Sequence, residues 1–152
     1  MTQFSRAAWS DQFNTPTVDV LRGDLLDTSI PLFDQARTMF LGFEEIVESV
    51  RWYGDCWHWT IEFALEDHHE DDSLGIIIPS PEDLQVAIPM KDEFHSTVSI
   101  KRMKRTMRDG FELATEPFHT NWAVWSLGSS GLVGDIGHLA KQKLKWLLEQ
   151  EN

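Results

Sequence analysis

Trp57-His58-Trp59-Thr60-Ile61-Glu62-Phe63-Ala64-Leu65-Glu66 is the stretch on which the fold class turns. Trp57, Trp59, Ile61, Phe63 and Leu65 fall on alternate positions, the pattern of a strand with one face on a core and the other near water. Further on, Leu74 to Ile78 is almost wholly apolar, as expected of a central strand covered on both faces. The acidic run from Glu66 to Asp72 between them then reads as a hairpin loop. After the turn-forming Pro79-Ser80-Pro81-Glu82-Asp83, Leu84 to Pro89 supplies a third strand and completes an antiparallel meander. Asn121 to Leu127 reads as a fourth strand.

Upstream of this stretch the period is helical. Phe33, Ala36, Phe40, Phe43, Val47 and Val50 recur at steps of three and four, which predicts one long helix burying that stripe. Ser29 stands where an N-cap would, ahead of Pro31, whose missing N–H costs nothing in a first turn. Residues 1–28 are weakly patterned and read as an arm with a short helix from about Thr17 to Leu26. Downstream, Ile100, Met103 and Met107 share a helical face, with Ser96 or Thr97 to cap the helix and Gly110 to stop it. A C-terminal helix carries Ile136, Leu139, Ala140, Lys143, Leu144, Leu147 and Leu148. The expectation is a single α+β domain over 1–152. Its core, 29–152, has an antiparallel sheet of roughly four strands packed against a long N-terminal helix, a basic middle helix and a C-terminal helix.

Composition narrows the function. A chain of 152 residues with 13 Lys and Arg against 25 Asp and Glu carries a net charge of −12. That charge repels nucleic-acid phosphates and anionic membranes and favours cationic partners. The single cysteine, Cys56, cannot form an internal disulfide, and no apolar stretch approaches the roughly 20 residues of a membrane span. The expectation is a cytoplasmic protein that binds neither nucleic acid nor membrane.

Three clusters carry candidate chemistry. The aromatic set Trp52, Tyr53, Trp57, Trp122 and Trp125 can supply large apolar surfaces and indole donors, and so could line a concavity between the sheet and the basic helix. Lys101, Arg105 and Arg108 share one helical side in a run that also holds Arg102 and Lys104; the rest of the chain has a net charge of −17. Such a run could hold an anion or an acidic partner, or pair with the acidic surface of its own molecule. Glu66, His68 and Glu70 would project to one side of an extended strand, with oxygen and nitrogen donors suited to iron or zinc. Against this, metal sites draw ligands from several rigid elements, and a charged hairpin tip also discourages edge aggregation.

Other features are weaker. The run Gly128 to Gly137 follows a strand and opens a helix, but it matches neither the P-loop nor the dinucleotide spacing. Cys56 and His58 lie two apart, too close in sequence for the usual nucleophile and base drawn from separate elements. Glu116, His119, His95 and His138 form no recognised metal spacing, and GxSxG, HExxH and CxxC are absent. No residue is assigned a catalytic role. The leading expectation is non-enzymatic binding of a small molecule or protein partner at the tryptophans, without a cofactor. The alternative is metal handling at the acidic loop.

The order Pro16-Thr17, a helix ending in Trp52-Tyr53-Gly54, a Trp-rich strand and an apolar strand closing on Pro79 resembles a family of small bacterial domains of unknown function. Glu116, a strand and a helix containing Leu139 and Lys143 are similar to that family's ending. The layout is also similar to the YdhG-like domains, for some of which a frataxin-like iron-chaperone role has been proposed. The resemblance implies an α+β fold and, through those domains, iron handling; it brings no catalytic residues.

Overall fold

A computed structural model describes residues 8–66, 73–114 and 120–150. It is an α+β fold built on one five-stranded antiparallel sheet in the order β1-β2-β3-β4-β5. The strands are β1 (Ile46–Trp52), β2 (Trp59–Leu65), β3 (Ser73–Ser80), β4 (Asp83–Pro89) and β5 (Trp122–Ser126). The order follows from chain economy: neighbours in sequence pair in space because short antiparallel connections suffice. Between β3 and β4, Ser80 pairs with Asp83 across Pro81 and Glu82, so Pro81 takes the first central turn position that its ring favours.

The helices are α1 (Val18–Gly23), α2 (Ile30–Leu41), α3 (Gly54–Trp57), α4 (Asp92–His95), α5 (Arg105–Asp109) and α6 (Ser130–Gln150). Phe33, Ala36 and Phe40 of α2 and Val133, Ile136, Leu139 and Ala140 of α6 join Trp59, Ile61, Phe63, Val86, Ile88 and Trp125 of the sheet in one buried core. At its centre the Phe40 and Phe63 rings stack, with centroids 4.6 Å apart and planes 9° from parallel. A register shift in β2 between Phe63 and Ala64 sets Phe63 opposite Gly75, where a Cβ would stand 2.8 Å from the Phe40 ring. A smaller second cluster, Ile76, Ile78 and Ala87, lies apart from that core, with Tyr53, Trp57, Trp122 and Val124 packed on it.

Four expectations are corrected. The long N-terminal helix stops at Leu41, capped at Gly42, and Val47 and Val50 belong to β1, a fifth strand. Glu45, at φ 66°, turns the chain between them, and Val47 is exposed. The basic middle helix is broken: a 3-10 turn spans Ile100–Arg102, Met103 and Lys104 are extended at ψ 156° and 153°, and only Arg105–Asp109 is α-helical. Its upstream residues, Ser96-Thr97-Val98-Ser99, are poor helix formers. Trp57 leaves the β2 alternation because it ends α3, and His58, at φ 55° and ψ −135°, reverses the parity before Trp59. β2 is also buried at every position, and on the face that the alternation sets near water Arg51 and Tyr53 reach Glu62.

Three other expectations hold in position. β3 is the middle strand and is buried from Ser73 to Pro79. The C-terminal helix forms, beginning as early as Ser130, and Gly137 lies where a Cβ would come 3.1 Å from Met39 Cγ of α2. In the N-terminal arm, Thr17 caps α1 by accepting from the Val20 N–H. The expected acidic hairpin tip, from Asp67 to Asp72, lies outside the described residues. Among the described residues, no helix is long and apolar enough to cross a membrane.

Candidate functional site

The predicted aromatic set divides between the two clusters. Trp125 is buried in the main core, where its indole donates to the Met107 carbonyl at 3.0 Å and its ring meets Phe111 edge-on at 5.6 Å. Trp52 packs on the same core, edge-on to Trp59 at 5.4 Å. Tyr53, Trp57 and Trp122 pack together over Ile76, Ile78 and Ala87 instead. A cleft of 300 Å³ does open between α5 and β5, but Trp125 is the only member of the set that lines it.

The second cluster is assembled from three elements. Tyr53 follows β1, Trp57 ends α3 and Trp122 begins β5. Trp57 and Trp122 meet edge-to-face at 4.9 Å and 85°, and Tyr53 meets Trp122 at 5.9 Å and 87°. Such perpendicular contacts set a positive ring edge against a negative face. Gly54, at φ 89°, and His58 bracket α3 with left-handed backbone, and that double reversal carries the Trp57 ring away from the core occupied by Trp59. Positive φ at a non-glycine residue such as His58 is strained, and strain of this kind gathers at functional positions.

Beside the rings sits a polar network. Glu62 is 2% exposed, and one of its carboxylate oxygens accepts from Arg51 at 3.1 Å and from the Tyr53 hydroxyl at 2.8 Å. The Arg51 guanidinium stands 5.2 Å from the Tyr53 ring centre, within cation–π range. Thr60, also buried, donates to the Arg51 carbonyl at 3.0 Å. A buried carboxylate is tolerable only with a paired charge and hydrogen bonds, and Glu62 has both. The alternation that placed Glu62 near water missed this pairing, since no sequence spacing shows Arg51 opposite its neighbour Thr60 in the β1–β2 register.

Indole pairing follows burial. The buried Trp59 donates to the Asp11 carbonyl at 2.8 Å and the buried Trp125 to Met107, whereas the half-buried Trp57 and Trp122, like Trp52 and Trp146 on the main core, have no hydrogen-bond partner for their indoles among the described residues. Trp9 of the arm lies edge-on to His58 at 4.3 Å, and the indole nitrogen of Trp9 and Nδ1 of His58 are buried without a partner among the described residues.

The remaining candidates are dispersed. Lys101, Arg105 and Arg108 are all exposed, on the 3-10 turn and on α5. Glu66 is exposed, while His68 and Glu70 lie outside the described residues, as do Glu116 and His119. Among the described residues, no group of three or more His, Cys, Asp or Glu is placed to hold a metal ion. Cys56 is exposed within α3, His95 packs against Phe111 and His138 is exposed on α6. Gly131, Gly134 and Gly137 lie inside α6 rather than in a loop before it.

No family model, no curated protein and no solved structure matches the chain.

Proposed function

We propose that this chain is a non-enzymatic binding domain that takes a small molecule with an apolar, flat body and a hydrogen-bond acceptor on the Tyr53–Trp57–Trp122 face. The observation that carries this reading is that two half-buried indoles, Trp57 and Trp122, meet edge-to-face beside Tyr53 with N–H groups that lack a partner among the described residues. The buried tryptophans Trp59 and Trp125 have their N–H groups matched to carbonyls. A half-buried indole with a free donor offers a ligand both a stacking surface and an orienting hydrogen bond. The rings stand too close together, at 4.9–6.1 Å between centroids, to admit a cation among them, so the ligand lies on the cluster rather than within it.

A ligand-observed NMR screen of aromatic and heteroaromatic fragments tests the reading. Fragments should bind the wild-type protein, lose binding in Trp57→Ala, and be weakened by about tenfold in Trp57→Phe, which keeps a ring but removes the donor; that factor corresponds to about 1.4 kcal/mol. Fragments that bind equally to all three proteins, or none that bind, would reject it.

A further inference from the structure

A second feature lies on the core side of the sheet, apart from the aromatic face. Met103, Met107 and Leu139 line a cleft of 180 Å³ between the basic segment and α6, with Lys104, Asp135 and His138 at its rim. Small-molecule sites usually enclose about 300–1,000 Å³, so this volume is too small for one. It is close to the apolar cavity of about 150 Å³ that admits a benzene ring, which makes it the right size for a single apolar side chain. Methionine suits such a seat, because its flexible thioether adapts to differently shaped occupants.

Of the five basic residues in this segment Lys104 lines the cleft, and the other four flank its lining residues Met103, Lys104 and Met107 along the chain. Lys101, Arg102, Lys104, Arg105 and Arg108 are all exposed. Lys104 reaches Asp135 at 3.5 Å. Lys101, Arg102, Arg105 and Arg108 have no ion-pair partner among the described residues, although the chain holds 25 acids. Among those residues, then, the internal neutralisation that the composition favours does not reach these four cations. Exposed like charges held together repel one another until an anion arrives. An extended nucleic acid would meet the net −17 of the remaining chain, and the basic segment has no exposed aromatic on which a base could stack. A short acidic segment avoids both penalties.

We infer that the Met103–Met107–Leu139 cleft docks an acidic peptide segment of a partner protein. One Leu, Met or Phe side chain of that segment enters the cleft, and carboxylates flanking it pair with Lys101, Arg105 and Arg108. Asp135 keeps Lys104 in place at the rim. Bidentate arginine–carboxylate pairs give the contact direction as well as charge.

Selection from a display library of random dodecapeptides tests this, using the whole protein as bait and the triple variant Lys101→Gln, Arg105→Gln, Arg108→Gln for counter-selection. Selected peptides are then synthesised and titrated by calorimetry. They should carry several Asp or Glu around one apolar residue and weaken steeply between low salt and about 0.15 M, where the Debye length is about 8 Å. Affinity should fall at least about tenfold in the triple variant, or about 1.4 kcal/mol, and several-fold in Met103→Ala, with melting unchanged. Selected peptides without acidic residues would overturn the inference. So would binding that survives replacement of the apolar residue by Ser, which would mark a patch for any polyanion. Binding of phosphatidylserine vesicles or inorganic phosphate in place of peptides would overturn it as well. If either variant melts lower, the wild-type salt titration and the Ser-substituted peptide decide the matter on their own.

Discussion

Gly110 has no side chain, and the Trp125 indole fills the space where one would stand. The segments around them are joined twice, since the Val124 N–H donates to the Gly110 carbonyl at 2.9 Å and the Trp125 indole donates to the carbonyl of Met107, three residues before Gly110. A methyl group at 110 would have to push the indole off Met107, or push α5 away from β5. Gly110→Ala should therefore destabilise the fold by about 1–3 kcal/mol, the usual cost of overpacking a filled core. Urea melts check this, and an unchanged midpoint would mean that the ring moves aside freely. Gly110 caps α5 at φ −68°, a backbone that Ala also adopts, so restricting the unfolded chain would favour Ala by about 0.4–1 kcal/mol and the sign of the result shows which effect controls the site.

Among the elements, α1 and α2 are held together by a bidentate pair, Arg22 to Asp34, with both contacts at 2.8 Å. The hydrogen bonds from Arg22 hold the Asp34 carboxyl below its ordinary range, with Coulomb attraction to Arg22 and Arg37 adding to the effect. A carboxylate lowered in this way contributes stability above its unfolded value of about 3.9 and loses that contribution as pH falls through its folded value. The pair is half exposed, so the contribution is small. Asp34→Asn should be less stable than wild type at pH 7, and the gap should close as the pH drops below that range. Denaturant melts across the acid range measure the gap, and one that persists at the lowest pH would assign the effect to something other than charge. The same elements show what a sequence can reveal. β3 and β4 are legible because an unbroken apolar run and a proline turn each have one reading. β1 is not, because Val47 and Val50 continue the helical spacing of Phe40 and Phe43, and only the reversal at Glu45 separates them. Tyr53, Trp57 and Trp122 stand out as aromatics, but the face they occupy depends on left-handed backbone at His58, a residue type with no special claim to it.

The molecule as a whole carries far more negative than positive charge, and a net −12 on 152 residues works against compactness through self-repulsion. Salt screens that repulsion and also weakens the partly exposed pairs Arg22–Asp34, Arg37–Glu48 and Lys104–Asp135. Twelve uncompensated charges outweigh these few partly exposed pairs, so the melting temperature should rise by about 2–5 °C between low salt and about 0.5 M sodium chloride. A scanning calorimetry series reads this directly, and a falling melting temperature would show that the pairs dominate. The placement of α6 has a consequence of a different kind. Its residues complete the main core against α2 and β3, yet they are translated after all five strands. On the ribosome α2 and the β1–β4 hairpins can pair as they emerge, while the part of the core that α6 completes stays bare until that helix follows. During that interval the nascent chain presents the kind of surface that chaperones bind, and slowing elongation just before codon 130 would prolong the exposure and lower the yield of folded protein without altering a single residue.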